Sequence, residues 1–167
     1  MKTDDMVVTP IGVRFRGRRF PCVVGRGGIT EQKREGDGAT PVGEHRIVGM
    51  LYRPDRMGPP TSWAIPVRPG DLWCDDPDHE DYNLMVRDPF PGSHEVLRRA
   101  DPLYDLVILT DWNWPYSVSG QGSAIFMHRW RRPGYPTAGC VGVRPADLLW
   151  IARRIGMETK LIVQNQP

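Results

Sequence analysis

Glycine and proline restrict this chain more than any other feature of its composition. The sequence holds 18 glycines and 17 prolines among 167 residues, which is above their average use but below the range of low-complexity proteins. Both residues interrupt helices and central strands, so the regular elements between them must be short. With six tryptophans available for a core, the pattern predicts a folded, turn-rich and mainly β protein rather than a disordered one.

Length and charge narrow the class of protein further. A chain of 167 residues favours a single domain, 1–167, that can bury a full hydrophobic core. The net charge of +2 creates no strong global field, so we expect no nucleic-acid partner. Residues 1–6 are polar, so no signal peptide is visible at this start, and we expect no membrane span.

Apolar runs between turn residues predict the order of elements. Short strands are expected over residues 6–9, 12–15, 18–25, 45–50, 72–74, 83–86, 104–110, 123–128 and 159–163. One or two helical turns are expected over residues 93–99, because Ser93 is a suitable N-cap. The clearest helix begins at Pro145, carries one apolar face and ends near Gly156. The sum is a mainly β domain with minor α content.

The residues that carry chemistry stand twelve positions apart. His128 ends an apolar strand, and Cys140 follows Gly139 after a loop rich in Arg, Pro and Gly. An imidazole beside a thiol can lower the thiol pKa, generate the nucleophile and later protonate a leaving amine. Gly139 can adopt a backbone conformation that other residues resist, and its amide is a candidate oxyanion donor. The alternative is a structural cysteine and a histidine that only caps a strand.

Two motifs resemble the YkuD family of L,D-transpeptidases. The stretch from His128 to Cys140, with Thr-Ala-Gly-Cys at its end, is similar to a signature in which His-Gly precedes Ser-His-Gly-Cys, a hydrophobic residue and Arg. Residues 33–43 resemble the early Asp-Gly and Thr-Pro-x-Gly turn of the family. The likeness runs from about Val8 to Val163. It implies a YkuD-like β-sandwich or barrel with one helix packed on it.

The chain departs from that signature at four positions. Arg129 stands in place of Gly, Thr137 in place of Ser, Ala138 in place of a second His, and Gly142 in place of Arg. The lost second His is the larger change. If residues 141–143 form a strand, Arg144 points to the same face as Cys140 and can offer its guanidinium to a substrate carboxylate. The alternative is a solvent-exposed arginine before the helix.

Six residues are candidate substrate contacts. They are Arg144, Thr137, Trp130, Arg129, Tyr82 and Asn83. Arg129 belongs to a basic run beside the suspected site, and Trp130 lies two residues past His128. Tyr82 and Asn83 belong to a pattern, with residues 73–77 and a Ser-x-Glu at 93–95, that looks like a divergent proteobacterial branch. Members of that branch are associated with links from first-position L-alanine to third-position diaminopimelate.

The resemblance also implies a reaction and its partners. Cys140 would form a thioester with a peptidoglycan stem peptide, and the amine of a second stem would resolve it. Donor and acceptor stem peptides are therefore the expected partners, carbapenem-type β-lactams the expected covalent inhibitors, and the periplasm the expected location. We expect no cofactor and no metal. Two alternatives remain: an L,D-carboxypeptidase or endopeptidase on the same fold, and an inactive cell-wall-binding module.

Other polar features of the sequence favour ordinary structural roles. The acidic residues at 75–81 match no calcium-loop spacing, so a solvated loop is favoured over a cation site. Cys22 and Cys74 could pair, but two unpaired hydrophobic cysteines are the more common arrangement. A redox role is disfavoured because the chain has no Cys-x-x-Cys motif.

Overall fold

The computed structural model describes residues 4–165, which form fifteen strands and one helix. The strands are β1 (Met6–Thr9), β2 (Gly12–Phe15), β3 (Arg18–Phe20), β4 (Cys22–Val23), β5 (Ile29–Thr30), β6 (Thr40–Pro41), β7 (Gly43–Tyr52), β8 (Ile65–Pro66), β9 (Asp71–Cys74), β10 (Met85–Arg87), β11 (His94–Val96), β12 (Leu106–Thr110), β13 (Phe126–Arg129), β14 (Val141–Val143) and β15 (Lys160–Val163). The helix is α1 (Pro145–Ala152). The predicted mainly β domain with one packed helix is confirmed.

One ten-stranded sheet dominates the molecule. Its strands follow the order β3-β2-β1-β15-β7-β12-β13-β14-β4, with β8 added beside β7. The sheet is nearly closed, because β2 and β4, which lie towards opposite ends of this order, also contact each other. A curled sheet of this kind encloses its apolar face and leaves the strand ends to build a site.

The pairing of β13 with β14 brings the two chemical motifs together. These strands run parallel, with Met127 opposite Val141 and His128 opposite Gly142. Cys140 immediately precedes β14, so it lies near the start of β13. On its other edge β13 pairs antiparallel with β12. The histidine and the cysteine are therefore held by neighbouring central strands.

The helix begins where the sequence predicts and ends earlier. Pro145 occupies its first turn, where a missing amide hydrogen is tolerated. Leu148, Ile151 and Ala152 are buried against the sheet, in the main hydrophobic cluster. Regular helix stops at Ala152 rather than near Gly156, because the chain unwinds through a final turn before β15.

The prediction of helical turns over residues 93–99 is wrong. His94–Val96 form β11, which pairs antiparallel with β9, and β9 also pairs with β10. The capping capacity of Ser93 is a local signal, whereas the backbone hydrogen bonds of this segment are made to a strand about twenty residues away. The proline-rich stretch before it is also ordered, since it supplies β8, β9 and β10.

The three cysteines are unpaired. Cys74 and Cys140 are buried and Cys22 is half-buried. Within residues 4–165, no helix is both long enough and apolar enough to cross a membrane.

Candidate active site

The side chain of Cys140 is held by hydrogen bonds to two backbone groups. Its thiol donates a hydrogen bond to the carbonyl oxygen of Ala124 at 3.1 Å, and the Phe126 amide donates to the sulfur at 3.4 Å. The residue is 7% exposed. A thiol that donates to a carbonyl carries its proton, so this geometry describes a neutral cysteine.

A short turn before the cysteine is closed by Thr137. The Thr137 hydroxyl donates to the Cys140 carbonyl oxygen at 2.6 Å and accepts from the Gly139 amide at 3.1 Å. Gly139 has φ of +139°, as predicted for a position that other residues resist, and a Cβ there would lie 3.0 Å from the Ala39 carbonyl oxygen. The Gly139 amide is thus already bonded to Thr137, which differs from its predicted role as an open oxyanion donor.

The early Thr-Pro turn packs directly against this cysteine turn. The Thr40 hydroxyl donates to the Gly139 carbonyl oxygen at 2.8 Å and accepts from the Gly25 amide at 2.9 Å. Thr40 is fully buried. The two motifs that resemble one family therefore meet in space, although 99 residues separate them along the chain.

His128 is oriented by its own strand. Its Nδ1 lies 2.7 Å from the carbonyl oxygen of Arg129. A carbonyl oxygen only accepts, so Nδ1 carries the hydrogen in this bond and Nε2 keeps a free electron pair. On another side the imidazole packs edge-to-face on Tyr104, with ring centroids 5.3 Å apart and planes at 70°. The ring is ready to accept a proton at Nε2.

Cys140 and His128 line one cavity of about 800 Å³. Cations on its wall are Arg26, Lys33, Arg99 and Arg131, and carboxylates on its wall are Glu35, Asp75 and Glu95. A cavity with both signs of charge suits a ligand that carries both carboxylates and an ammonium group.

Burial sets the proton positions of the pair. Loss of solvent raises the pKa of Cys140 to about 12 and lowers the pKa of His128 to about 4. Both groups are therefore neutral near pH 7. The sequence predicts a thiolate stabilised by imidazole, and the structure differs because burial of each group disfavours its charged form.

Glu35, on the cavity wall, is hydrogen-bonded to residues of two segments that are distant in sequence. Its carboxylate accepts hydrogen bonds from the Tyr82 hydroxyl and, at 2.8 Å, from the Ser123 hydroxyl. Nearby, the buried Lys33 donates to Asp37 at 2.5 Å. Tyr82 does not itself line the cavity, and its contribution there is the hydrogen bond that holds Glu35.

Asn83 also lies behind the cavity rather than in it. Its side-chain oxygen accepts from the amide of Ala124 and from the indole of Trp73, both at 2.9 Å. Its side-chain nitrogen donates to the carbonyl oxygens of Trp112 and Asn113. The chain from Asn83 to Ala124 continues to Cys140, since the Ala124 carbonyl receives the thiol hydrogen.

The other predicted substrate contacts lie at different places. Thr137 lines the main cavity, whereas Arg129 and Trp130 line a second pocket of about 140 Å³ that shares Leu103 and Arg131 with the main cavity. Arg144 is bound to Asp147 through two hydrogen bonds of 3.0 and 2.9 Å at the start of α1, and it does not line the main cavity.

Packing explains why no arginine follows the cysteine by two positions. A Cβ on Gly142 would lie 2.8 Å from Cγ2 of Val23 and 3.3 Å from Cγ2 of Thr137. The backbone of β14 is thus pressed against β4 and the cysteine turn, which leaves no room for a side chain. The cations of the cavity come from other segments instead.

Three wall residues, Arg26, Arg99 and Tyr104, carried no sequence signal that identified them. Arg131 belongs to the basic run predicted beside the site and does line the cavity, and Asp75 stood only within the pattern at 73–77. Glu95 stood only within the Ser-x-Glu pattern, without a role. Lys33 and Glu35 lie in the early motif, and that location is the one signal that could have suggested them. Within the described part of the chain, no group of three or more His, Cys, Asp or Glu is arranged to hold a metal ion.

The fold and the cavity define a mainly β domain in which a thiol and an imidazole line one charged cavity. The family is given by the match of residues 7–163 to the L,D-transpeptidase catalytic domain, YkuD. The chain belongs to this family, which acts on peptidoglycan peptides and is sensitive to β-lactams. A search of the curated proteins found no match.

Proposed function

We propose that this protein is a peptidoglycan L,D-transpeptidase in which Cys140 is the nucleophile and His128 the general base and acid. One observation carries the proposal: Cys140 and His128 line the same cavity, and the Nδ1 bond of His128 leaves Nε2 as a proton acceptor. The family membership supports the reaction class.

In the first step the thiol attacks the donor. The sulfur of Cys140 bonds to the carbonyl carbon of an L,D peptide bond while its proton moves to Nε2 of His128. The same proton then passes to the nitrogen of the leaving amino acid, the carbon–nitrogen bond breaks, and a thioester remains. Starting from a neutral pair, proton transfer accompanies attack instead of preceding it.

In the second step an acceptor amine resolves the thioester. The amine attacks the thioester carbon and gives its proton to His128, a new peptide bond forms, and Cys140 leaves and recovers that proton. The carboxylate side of the cavity can bind the acceptor in its ammonium form, which releases one proton to solvent before the neutral amine attacks, and the cationic side can bind the carboxylates of the stem peptides.

The link type we propose joins first-position L-alanine to third-position diaminopimelate. The support is the sequence pattern around Tyr82, Asn83 and Glu95, which resembles the branch associated with that link. Purified protein incubated with muropeptides should give dimers whose fragmentation places the new bond on the L-alanine nitrogen. Dimers joined through two diaminopimelates would contradict this assignment.

Acylation tests the nucleophile directly. Incubation with a carbapenem, followed by intact-mass measurement, is expected to add one β-lactam mass to the native protein. Cys140→Ala should show no adduct, and Cys22→Ala, which changes a thiol outside the cavity, should be acylated normally. An adduct that persists in Cys140→Ala would refute the assigned nucleophile.

Product analysis separates transfer from the alternatives. Muropeptide dimers support a transpeptidase, while trimmed monomers alone would indicate an L,D-carboxypeptidase or endopeptidase, in which water resolves the thioester. Absence of an adduct, with binding to isolated cell wall retained, would indicate an inactive wall-binding module. Because peptidoglycan is the substrate, we propose a periplasmic location.

A further inference from the structure

Tyr104 connects the imidazole to Glu95, one of the carboxylates on the cavity wall. Its ring packs on His128 at a centroid separation of 5.3 Å, and its hydroxyl donates a hydrogen bond to the Glu95 carboxylate. The residue is 6% exposed and lines the cavity together with His128 and Glu95. Tyr104 thus has one end on the proposed base and the other on a carboxylate.

Two groups fix the tyrosine itself. The Cζ atom of Arg99 lies 5.4 Å from the Tyr104 ring centroid. The Arg99 guanidinium in turn donates two hydrogen bonds, of 2.8 and 2.6 Å, to the Asp101 carboxylate. Glu95 lies in β11, whose pairing with β9 sets its place. Ring position therefore depends on the small three-stranded sheet as well as on the main one.

The imidazole needs such a support. Its hydrogen bond to the Arg129 carbonyl oxygen fixes one nitrogen, but a ring with one hydrogen bond can still swing about its side-chain torsions. An aromatic ring packed at a steep angle against the imidazole restricts that swing and excludes water from one side. A base held within a fraction of an ångström of its proton donor works far better than a mobile one.

We propose that Tyr104, held by Glu95 and Arg99, is a positioning residue that keeps the His128 imidazole oriented for proton exchange with Cys140. This inference rests on the proposed function. Tyr104 acts through His128, and no contact with the reacting carbonyl is required of it.

Three substitutions separate the parts of this device. Tyr104→Leu removes the aromatic ring, Tyr104→Phe keeps the ring and removes its hydroxyl, and Glu95→Gln keeps an oxygen that can accept the hydroxyl hydrogen. Leu97→Ala is the matched control, because Leu97 is buried in the same cluster as Tyr104 but does not line the cavity. All four are compared with the native protein.

The first measurement is the rate of carbapenem acylation between pH 3 and 9. Tyr104→Leu should lower the rate about tenfold or more, Tyr104→Phe about threefold, and Glu95→Gln less than about twofold. In Tyr104→Leu water reaches the imidazole, the pKa of His128 rises towards 6.5, and the acid limb of the profile moves up by about one pH unit or more. The charges that act on His128 come from Arg131, Arg99 and Asp101, and no substitution changes them.

A second measurement does not depend on acylation. Nitrogen NMR shifts report which imidazole nitrogen carries the hydrogen, and the native protein, Tyr104→Phe and Leu97→Ala should all show His128 with Nδ1–H. Tyr104→Leu should show a mixture of tautomers and a raised midpoint of titration. These results would support positioning even if the native protein formed no adduct, an outcome that would instead refute the proposed function.

Other results would overturn the inference. If Tyr104→Leu has the native rate and the native acid limb, the ring does not position the base. If Tyr104→Leu and Leu97→Ala lose rate equally, with the acid limb and the tautomer unchanged in both, Tyr104 serves only the stability of its cluster.

Discussion

Thr137 is the residue that shapes the cysteine turn. One hydroxyl both donates to the Cys140 carbonyl oxygen and accepts from the Gly139 amide, so it closes the turn on both sides. Serine offers the same hydroxyl without the methyl group. Valine has nearly the same shape as threonine but carries a methyl group in place of the hydroxyl. Comparing the serine and valine variants therefore separates the hydroxyl from the methyl group.

Replacing Thr137 by valine should lower the stability of the protein. Two lost hydrogen bonds, with a buried amide and carbonyl left unpaired, lower the free energy of unfolding by about 2 kcal/mol. Thr137→Ser should stay within about 0.5 kcal/mol of the native protein. Urea unfolding measures the stability of both variants. Equal stability of the valine and serine variants would show that the hydroxyl does not stabilise the protein.

The neutral Cys140–His128 pair predicts a characteristic pH dependence. Burial lowers the pKa of His128, so the imidazole stays neutral, and able to accept the thiol proton, until the pH falls through about 4. Carbapenem acylation should therefore be level from pH 6 to 8 and decline with a midpoint near 4. A midpoint near 6.5 would mean that the imidazole is solvated in solution.

At the scale of elements, Asn83 joins the loop between β9 and β10 to the loops that surround the cysteine. Its side chain makes four hydrogen bonds, to Trp73, Ala124, Trp112 and Asn113. Its backbone has φ of +61°, a conformation that asparagine tolerates better than most residues. The loop is thus an ordered support of the site.

Replacing Asn83 by alanine should therefore be costly. The change strands several buried donors and acceptors and keeps a positive φ, so we expect the free energy of unfolding to fall by about 3 kcal/mol. Ser119→Ala removes one exposed hydrogen bond nearby and should change it by less than about 0.5 kcal/mol. Denaturant unfolding of both variants decides, and similar losses would contradict the anchor role.

At the scale of the whole molecule, buried titratable groups set a window of stability. Burial lowers the pKa of His45 and His128 and raises the pKa of Cys22, Cys74 and Cys140. Below pH 6.5 the two histidines bind protons in the unfolded state but stay neutral in the folded state, so the folded state loses stability. Above pH 9 the unfolded thiols release protons that the folded ones keep.

Stability should therefore be greatest between about pH 6.5 and 9. As the pH falls from 6.5 to 4, His128 alone removes up to about 3 kcal/mol, because its pKa is lowered in the folded state. His128→Gln should make this acid slope shallower, because it removes the buried imidazole whose pKa is lowered by folding. Thermal unfolding across pH measures the slopes, and a native slope in His128→Gln would refute the assignment.

Much of the secondary structure was predictable because its causes are local. Apolar runs bounded by glycine and proline placed β1, β2 and β12 within two residues, and Pro145 placed the start of α1. The prediction of helical turns over residues 93–99 was wrong because a possible N-cap gives no information about a partner strand. β11 forms by pairing with β9, which is distant in sequence.

The sequence by itself determined which thiol and which imidazole stand beside turn-forming residues, since that depends on the order of residues alone. Only the tertiary structure decided that Thr40 holds Gly139, that Tyr104 faces His128, and that the pair is neutral. The reason is physical: burial and long-range packing arise when distant segments exclude water together, and no local pattern of residues records which segments will meet.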